Sequence, residues 1–127
     1  MSLSRLAREF ADEINGHDWS DAPYRLDRAG HDRATDTKRP ERQLGAEEAE
    51  NVKTNVMWVT AQVLAYADPN FRVDEFAIAC GIPRRITHRS DKKISGILAG
   101  GLRTRDGHVA PPGSSTAASP TGSGSNP

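Results

Sequence analysis

The stretch over residues 46–67 restricts the fold of this chain more than any other feature of its sequence. Its first turns carry Glu47, Glu48 and Glu50, where negative charge is favoured by the helix dipole. Apolar residues then recur every three or four positions and form a stripe of Val52, Val56, Val59, Val63 and Ala67. The stripe is widened by Met57, Trp58, Leu64 and Tyr66. The pattern ends before Pro69, because a residue that precedes proline avoids the helical region. The sequence therefore predicts a long helix whose stripe packs against the first helix and the C-terminal region.

A second, shorter helix is predicted at the N-terminus. Its apolar residues share one helical face and are Leu3, Leu6, Ala7, Phe10, Ala11 and Ile14. Ser2 or Ser4 can cap its start, and Asn15 with Gly16 supplies a left-handed stop. Residues 17–44 are rich in Asp and Arg with scattered apolar side chains, which predicts a solvated loop and a short helical turn near residues 24–29.

The composition limits the chain to one small domain and a tail. Only 35% of the 127 residues are hydrophobic and the mean hydropathy is −0.66, so the core must be small. Residues 111–127 contain only Pro, Gly, Ser, Thr, Ala and Asn, which cannot bury enough apolar surface to become ordered. We therefore predict a single helical domain over residues 1–110 and a disordered tail over residues 111–127.

Several classes of protein are disfavoured by what the sequence lacks. No apolar run is long enough for a membrane span, and the N-terminus does not have the pattern of a secretion signal. Cys80 is the only cysteine, which excludes an internal disulfide and a multi-cysteine zinc site. We expect a cytoplasmic protein that does not bind membranes.

Two short helices are predicted over residues 70–99. Asp74 is a good N-cap for a helix over residues 75–80, and Gly81 is its C-terminal stop. Ser90 can cap a second helix over residues 91–99, whose buried side carries Ile94, Ile97 and Leu98. The connection between them is about nine residues, which is longer than in a tight helix-turn-helix.

A β-hairpin is predicted directly after the second helix. Residues 102–110 contain Asp106 and Gly107, a dipeptide that suits a two-residue turn with positive φ at both positions. The predicted order of a helix, a turn, a second helix and a hairpin is the order of elements in a winged helix. The predicted fold class is therefore mainly α, with a helix-turn-helix or winged-helix-like unit over residues 70–110 and a short β-hairpin.

The net charge of zero hides an uneven distribution. Residues 1–50 hold eight basic and twelve acidic side chains, whereas residues 51–110 hold nine basic and five acidic ones. Between Arg84 and Arg105, seven cations accompany one acid, Asp91, which gives a net charge of +6 over 22 residues. Such a cluster favours an anionic partner.

These features together predict contact with double-stranded DNA. In a helix-turn-helix the second helix buries one face and presents the other to the major groove, while a wing reaches the backbone or minor groove. The candidate nucleic-acid-binding residues are Arg84, Arg85, Arg89, Ser90, Lys92, Lys93, Ser95, Arg103, Arg105 and His108. The predicted function is that of a small DNA-binding or DNA-associated regulatory protein.

Other interpretations compete with this one. The basic segment could be a solvated face that keeps a small domain soluble. The chain could instead be a protein-binding module, such as a phage-encoded modulator of a host protein, that uses its acidic half or the exposed side of residues 46–67. That helix could also serve a homodimer.

An enzyme is the least favoured interpretation. His17-Asp18 and His31-Asp32 repeat a pair that could suggest a metal site, but they lie in a loop without the framework that makes ligands converge. Cys80 is expected to be a buried apolar residue rather than a nucleophile. We therefore predict no catalytic residue, no metal and no cofactor.

The C-terminal segment resembles small winged-helix or helix-turn-helix proteins of actinobacterial phages. The resemblance is carried by the entry FRVDEF at residues 71–76 and by GLRTRDGHV at residues 101–109. It covers roughly a third of the chain and implies a DNA-associated or regulatory role. In this sequence the second wing strand is followed at once by the Pro/Gly/Ser tail, a departure from the pattern.

Overall fold

The computed structural model describes residues 3–91, 93–94 and 96–114 of the chain. The elements in chain order are α1 (Arg5–Gly16), a 3-10 turn (Trp19–Asp21), α2 (Ala46–Ala67), α3 (Val73–Ala79), α4 (Arg84–Thr87), α5 (Ile97–Gly100), β1 (Thr104–Arg105) and β2 (His108–Val109). The predictions of a mainly helical fold and a short antiparallel hairpin are therefore confirmed. Most of the predicted tail, residues 115–127, lies outside the described residues. No helix in the described ranges combines the length and apolarity that a membrane crossing requires.

Helix α1 begins as predicted but ends differently. The hydroxyl oxygen of Ser4 accepts a hydrogen bond from the amide of Ala7 at 3.1 Å, which confirms the serine cap. The predicted left-handed stop at Gly16 is wrong, because the helix ends where His17 becomes extended. This extended residue lets Asp18 accept a hydrogen bond from the amide of Ser20 at 3.0 Å and so cap the 3-10 turn.

The loop between α1 and α2 has a buried polar centre and is not simply solvated. Asp21 and His31 are both buried within it, and the amide of Asp18 donates to the carbonyl of His31 at 2.9 Å. The indole of Trp19 donates to the carbonyl of Ile14 and ties the loop to the end of α1. The helical turn predicted near residues 24–29 is wrong, since the only turn of helix in this loop is the earlier one that Asp18 caps.

Helix α2 has the predicted bounds, but it buries only part of the predicted stripe. Its start is secured by Glu48, whose carboxylate accepts a hydrogen bond from the amide of Gly45 at 2.8 Å. The side chains that α2 buries are Thr54, Met57, Ala61, Gln62 and Leu64. Two valines of the stripe face outward, with Val59 73% and Val63 50% exposed, whereas Val56 packs against the core.

Small side chains explain why α2 turns this face inward. Ala61 on α2 and Ala7 and Ala11 on α1 are all almost fully buried. Such residues let two helix backbones approach closely, which a row of valines would prevent. The resulting core is one cluster that also takes in Phe76 of α3 and Leu98 of α5.

The region after α3 differs most from the sequence-based prediction. Helix α3 begins earlier than expected, so Asp74 lies in its first turn and Arg72 occupies the N-cap position. Its connection to α4 is the four residues 80–83, not nine. Gly81 has φ of +80° there, and a side chain at this position would collide with the carboxamide of Asn15.

The helix predicted over residues 91–99 is wrong. The chain forms α4 earlier and α5 later, with a turn between them closed by a bridge between His88 and Ile94. Asp91 explains the difference, because its carboxylate accepts hydrogen bonds from the amide of Lys93 at 3.0 Å and the guanidinium of Arg89 at 3.1 Å. An aspartate that bonds to nearby groups in this way stabilises a turn in competition with a helix.

The hairpin forms as predicted. Asp106 has φ of +54° and Gly107 has φ of +82°, so both turn residues take the left-handed conformation. The register pairs Thr104 with Val109 and Arg105 with His108.

Candidate nucleic-acid interface

The basic segment, residues 84–108, begins on α4. Arg84 is the first residue of this helix and is exposed, and its side chain forms no hydrogen bond or ion pair with the described residues. Arg85 is engaged with α2: its guanidinium donates to Glu50 at 3.1 Å, to the carboxamide oxygen of Asn51 at 3.0 Å and to the carbonyl of Glu47 at 3.3 Å. Arg84 is thus available to a ligand, whereas Arg85 fastens α4 to α2.

The turn after α4 carries the next candidate residues. Arg89 is exposed and paired with Asp91, and its amide donates to the carbonyl of Lys93 at 2.8 Å. The side chain of Lys93 is exposed. Ser90 is exposed within the turn and caps no helix, so the predicted capping role is wrong; Gly96 occupies the N-cap position of α5. Lys92 and Ser95 lie outside the described residues.

The hairpin presents two further candidates. Arg105 and His108 are both exposed and face each other across the two strands, next to the turn. Arg103 is different, because it is half-buried at the base of the hairpin. Its amide and carbonyl both bond to Gln62, and its guanidinium donates to the carbonyl of Pro111 at 3.4 Å. Arg103 is therefore better described as a structural residue than as a contact residue.

Gln62 is a residue that the sequence analysis missed. It is 4% exposed, and its carboxamide accepts from the amide of Arg103 at 2.8 Å and donates to the carbonyls of Arg103 and Ala110 at 3.2 and 3.0 Å. One side chain of α2 thereby holds both ends of the hairpin. A polar residue in the middle of an otherwise apolar helical stretch was the only signal in the sequence.

Trp58 holds α5 in a similar way. Its indole donates to the carbonyl of Leu98 at 3.0 Å, and the ring lies so close to Gly101 that any side chain there would overlap it. Trp58 packs against the core and also has this specific hydrogen-bonding role. Trp58 and Gln62 together fix α5 and the hairpin on one side of α2.

A second polar cluster lies far along the chain from the basic segment, in the loop after α1. Nε2 of the His31 imidazole lies 2.9 Å from Asp21 and 3.8 Å from Asp27, and Nδ1 lies 3.5 Å from Asp36. Arg25 pairs with Asp27 and Asp36, and Arg33 pairs with Asp21. The hydrogen bond to Asp21 raises the pKa of His31 despite the opposing effect of burial, and the charges of Asp27, Asp21 and Asp36 add to the rise.

This cluster is a salt-bridged network. His31 pairs with Asp21 and not with Asp32, its neighbour in the sequence. Within the described ranges, no three His, Cys, Asp or Glu side chains form a group that could hold a metal ion. The hydrogen bonds from Ser20 and Arg33 lower the pKa of Asp18, although burial alone would raise it. These contacts order the loop around His31.

Cys80 is buried at the end of α3. Burial raises the pKa of its thiol to about 12, partly opposed by the charge of Lys53. A thiol in this state is neither nucleophilic nor accessible at neutral pH.

Comparison with known proteins identifies no family model, no curated protein and no solved structure that matches this chain. The resemblance of residues 71–109 to phage winged-helix proteins therefore stays a prediction.

Proposed function

We propose that residues 70–110 act as a helix-turn-helix unit with a hairpin wing and bind double-stranded DNA. The observation that carries the proposal is the four-residue connection between α3 and α4, which is the length of a tight helix-turn-helix and is followed by a hairpin with Arg105 and His108 at its tip. The exposed cations after Gly81 lie on α4 with the turn that follows it and on the hairpin. These are the two parts through which such a unit contacts DNA.

In this proposal α4 and the turn after it face the major groove. Because α4 has only four residues, the contacts come from both the helix and the turn, through Arg84 and Lys93. Arg85 takes a supporting role, since its bonds to α2 set the position of α4. The hairpin contacts the backbone or minor groove through Arg105 and His108.

A salt titration tests the proposal. Binding of the purified protein to a fluorescent random-sequence duplex is measured by anisotropy between about 50 and 200 mM salt. Three phosphate contacts, from Arg84, Lys93 and Arg105, predict that the affinity falls on the order of 40-fold over this range, because counterions are released on binding. Affinity that is flat in salt contradicts the proposal.

A pair of charge-matched variants locates the interface. Arg84→Glu with Lys93→Glu is expected to weaken binding at least about tenfold and to reduce the salt slope. Arg28→Glu with Lys38→Glu makes the same change of charge on the exposed loop after α1 and should leave the affinity within about twofold. Equal losses in both variants would show that net charge, and not this unit, attracts the DNA.

A protein-binding module, such as a modulator of a host protein, is the second candidate. The outward apolar residues of α2 favour it, because Val59, Val63 and Tyr66 are exposed on this helix. Absence of DNA binding together with capture of a stoichiometric partner would replace the first proposal by this one.

A further inference from the structure

The loop between α1 and α2 leaves an open cavity against the end of α1. Its volume is about 480 Å³, which is within the range of sites that hold small organic molecules. Glu13 and Ile14 line it from α1, and the loop contributes Trp19, Asp27 and Gly30 among others. No described residue of the basic segment lines it, so the cavity is separate from the candidate nucleic-acid interface.

One wall of the cavity carries a buried carboxylate that lacks a hydrogen-bond donor. The side chain of Asp27 is only 5% exposed. Its Oδ1 forms an ion pair with Nε of Arg25 at 3.0 Å, but neither carboxylate oxygen accepts a hydrogen bond from the described residues. Because most buried polar atoms in folded proteins have a hydrogen-bond partner, these oxygens indicate a donor that comes from outside the chain.

The cations nearest to Asp27 are committed to other groups. Nη1 of Arg25 lies 3.0 Å from Asp36 and also donates to the carbonyl of Lys38. Nε2 of His31 lies 2.9 Å from Asp21 and 3.8 Å from Asp27, so its hydrogen bond goes to Asp21. The network therefore leaves Oδ2 of Asp27 as an acceptor without a donor.

The rest of the lining suits an organic cation. Glu13 is exposed on α1 and adds a second negative charge to the cavity. The rings of His17 and Trp19 lie beside each other in the lining, with centroids 4.3 Å apart, and Leu26 next to them is 97% exposed. Aromatic rings attract cations through their faces and pack well against apolar groups.

We propose that this cavity binds a small organic cation. An ammonium group of the ligand donates to Asp27, and the aromatic or aliphatic body attached to it packs against Trp19 and Ile14. An ammonium group supplies several N–H donors, which suits one buried acceptor and the nearby charge of Glu13. An anionic ligand is disfavoured, because both carboxylates repel it. The inference does not depend on DNA binding.

A titration with phenethylamine tests the proposal, and phenethyl alcohol is its neutral counterpart. In amide NMR spectra of the full chain, the amine should shift the signals of Asp27 and Gly30 and the indole signal of Trp19. So small a ligand is expected to bind with a dissociation constant on the order of 1 mM. The alcohol should bind at least about tenfold more weakly, because its hydrogen bond to Asp27 has no charge on the donor. Absence of shifts with the amine, or equal affinity for the two compounds, overturns the proposal.

Substitution of Asp27 tests the position of the ammonium group. Asp27→Asn keeps the shape of the side chain and removes its charge, so amine binding should weaken at least about tenfold while alcohol binding stays within about twofold. Amine binding that survives in a folded Asp27→Asn variant overturns the assignment.

A second pair of variants leaves the buried network intact. Glu13→Gln changes only an exposed side chain of the lining and should weaken amine binding about two- to threefold. Asp12→Asn makes the same change of charge at the next position of α1, which is exposed but does not line the cavity, and should leave the affinity unchanged. Equal effects of Glu13→Gln and Asp12→Asn place the amine elsewhere and overturn the assignment, even if Asp27→Asn fails to fold.

Discussion

At the scale of single residues, the charge of His31 acts on three neighbouring carboxylates. Its imidazole is buried among Asp21, Asp27 and Asp36, and Arg25 and Arg33 complete the charge balance. A protonated His31 stabilises this arrangement, whereas a neutral one leaves three carboxylates facing two arginines. The hydrogen bond to Asp21 accordingly raises the pKa of His31 in the folded chain.

The raised pKa of His31 predicts that stability depends on pH. The folded pKa lies above the unfolded value of about 6.5, so the stabilisation is complete below about pH 6.5 and is lost as the pH rises through the folded pKa. Urea unfolding at pH 6 and pH 8.5 should show the higher midpoint at pH 6, and His31→Gln should remove most of this difference. His108→Gln, on the exposed hairpin, is the control and should retain it. Equal midpoints for the unmodified protein would refute the role of His31.

At the scale of elements, the sequence predicted those features that depend on contacts between residues close together in the chain. The bounds of α2 follow from Glu48 at its start and Pro69 after its end, and the hairpin follows from Asp106 and Gly107. The helix predicted over residues 91–99 is wrong because the carboxylate of Asp91 bonds to residues beside it in the chain. The periodicity of apolar residues carries no information about such bonds.

The burial pattern of α2 could not be predicted from its sequence. Both faces of α2 are apolar, so the face that becomes buried is the one that fits the alanines of α1. This fit depends on both helices and cannot be read from the sequence of α2 alone. The role of Gln62 was missed for the same reason, since its two partners, Arg103 and Ala110, lie more than 40 residues away.

Gln62→Ala tests how the hairpin is attached. The change removes three hydrogen bonds and leaves the buried carbonyl of Ala110 without its donor, which should lower the free energy of unfolding by about 2–4 kcal/mol. Gln43→Ala, an exposed glutamine in the loop before α2, should change it by less than about 0.5 kcal/mol. Urea unfolding followed by circular dichroism measures both. If the two variants are equally stable, Gln62 does not anchor the hairpin.

At the scale of the whole molecule, the N-terminal helix and the C-terminal unit share one core. The buried cluster runs from Ala11 of α1 through Met57 of α2 to Phe76 of α3 and Leu98 of α5. No part of this cluster belongs to residues 70–110 alone, so α3 cannot lose its packing without uncovering α1 and α2. The described chain should therefore unfold as one cooperative unit.

Cys80 reports on this cooperativity, because it is fully buried within the shared core and burial raises the pKa of its thiol to about 12. We expect iodoacetamide to label it only as the whole domain opens, so that the urea midpoint of labelling coincides with the midpoint of helix loss measured by circular dichroism. The control is Val59→Cys, which places a thiol on the exposed face of α2 and should be labelled without urea. Labelling of Cys80 while α2 is still helical would mean that α3, α4 and the hairpin open by themselves. In that case the C-terminal unit would be a separate module docked on α2, and the positions of Arg84 and Arg105 relative to each other would no longer be set by the shared core.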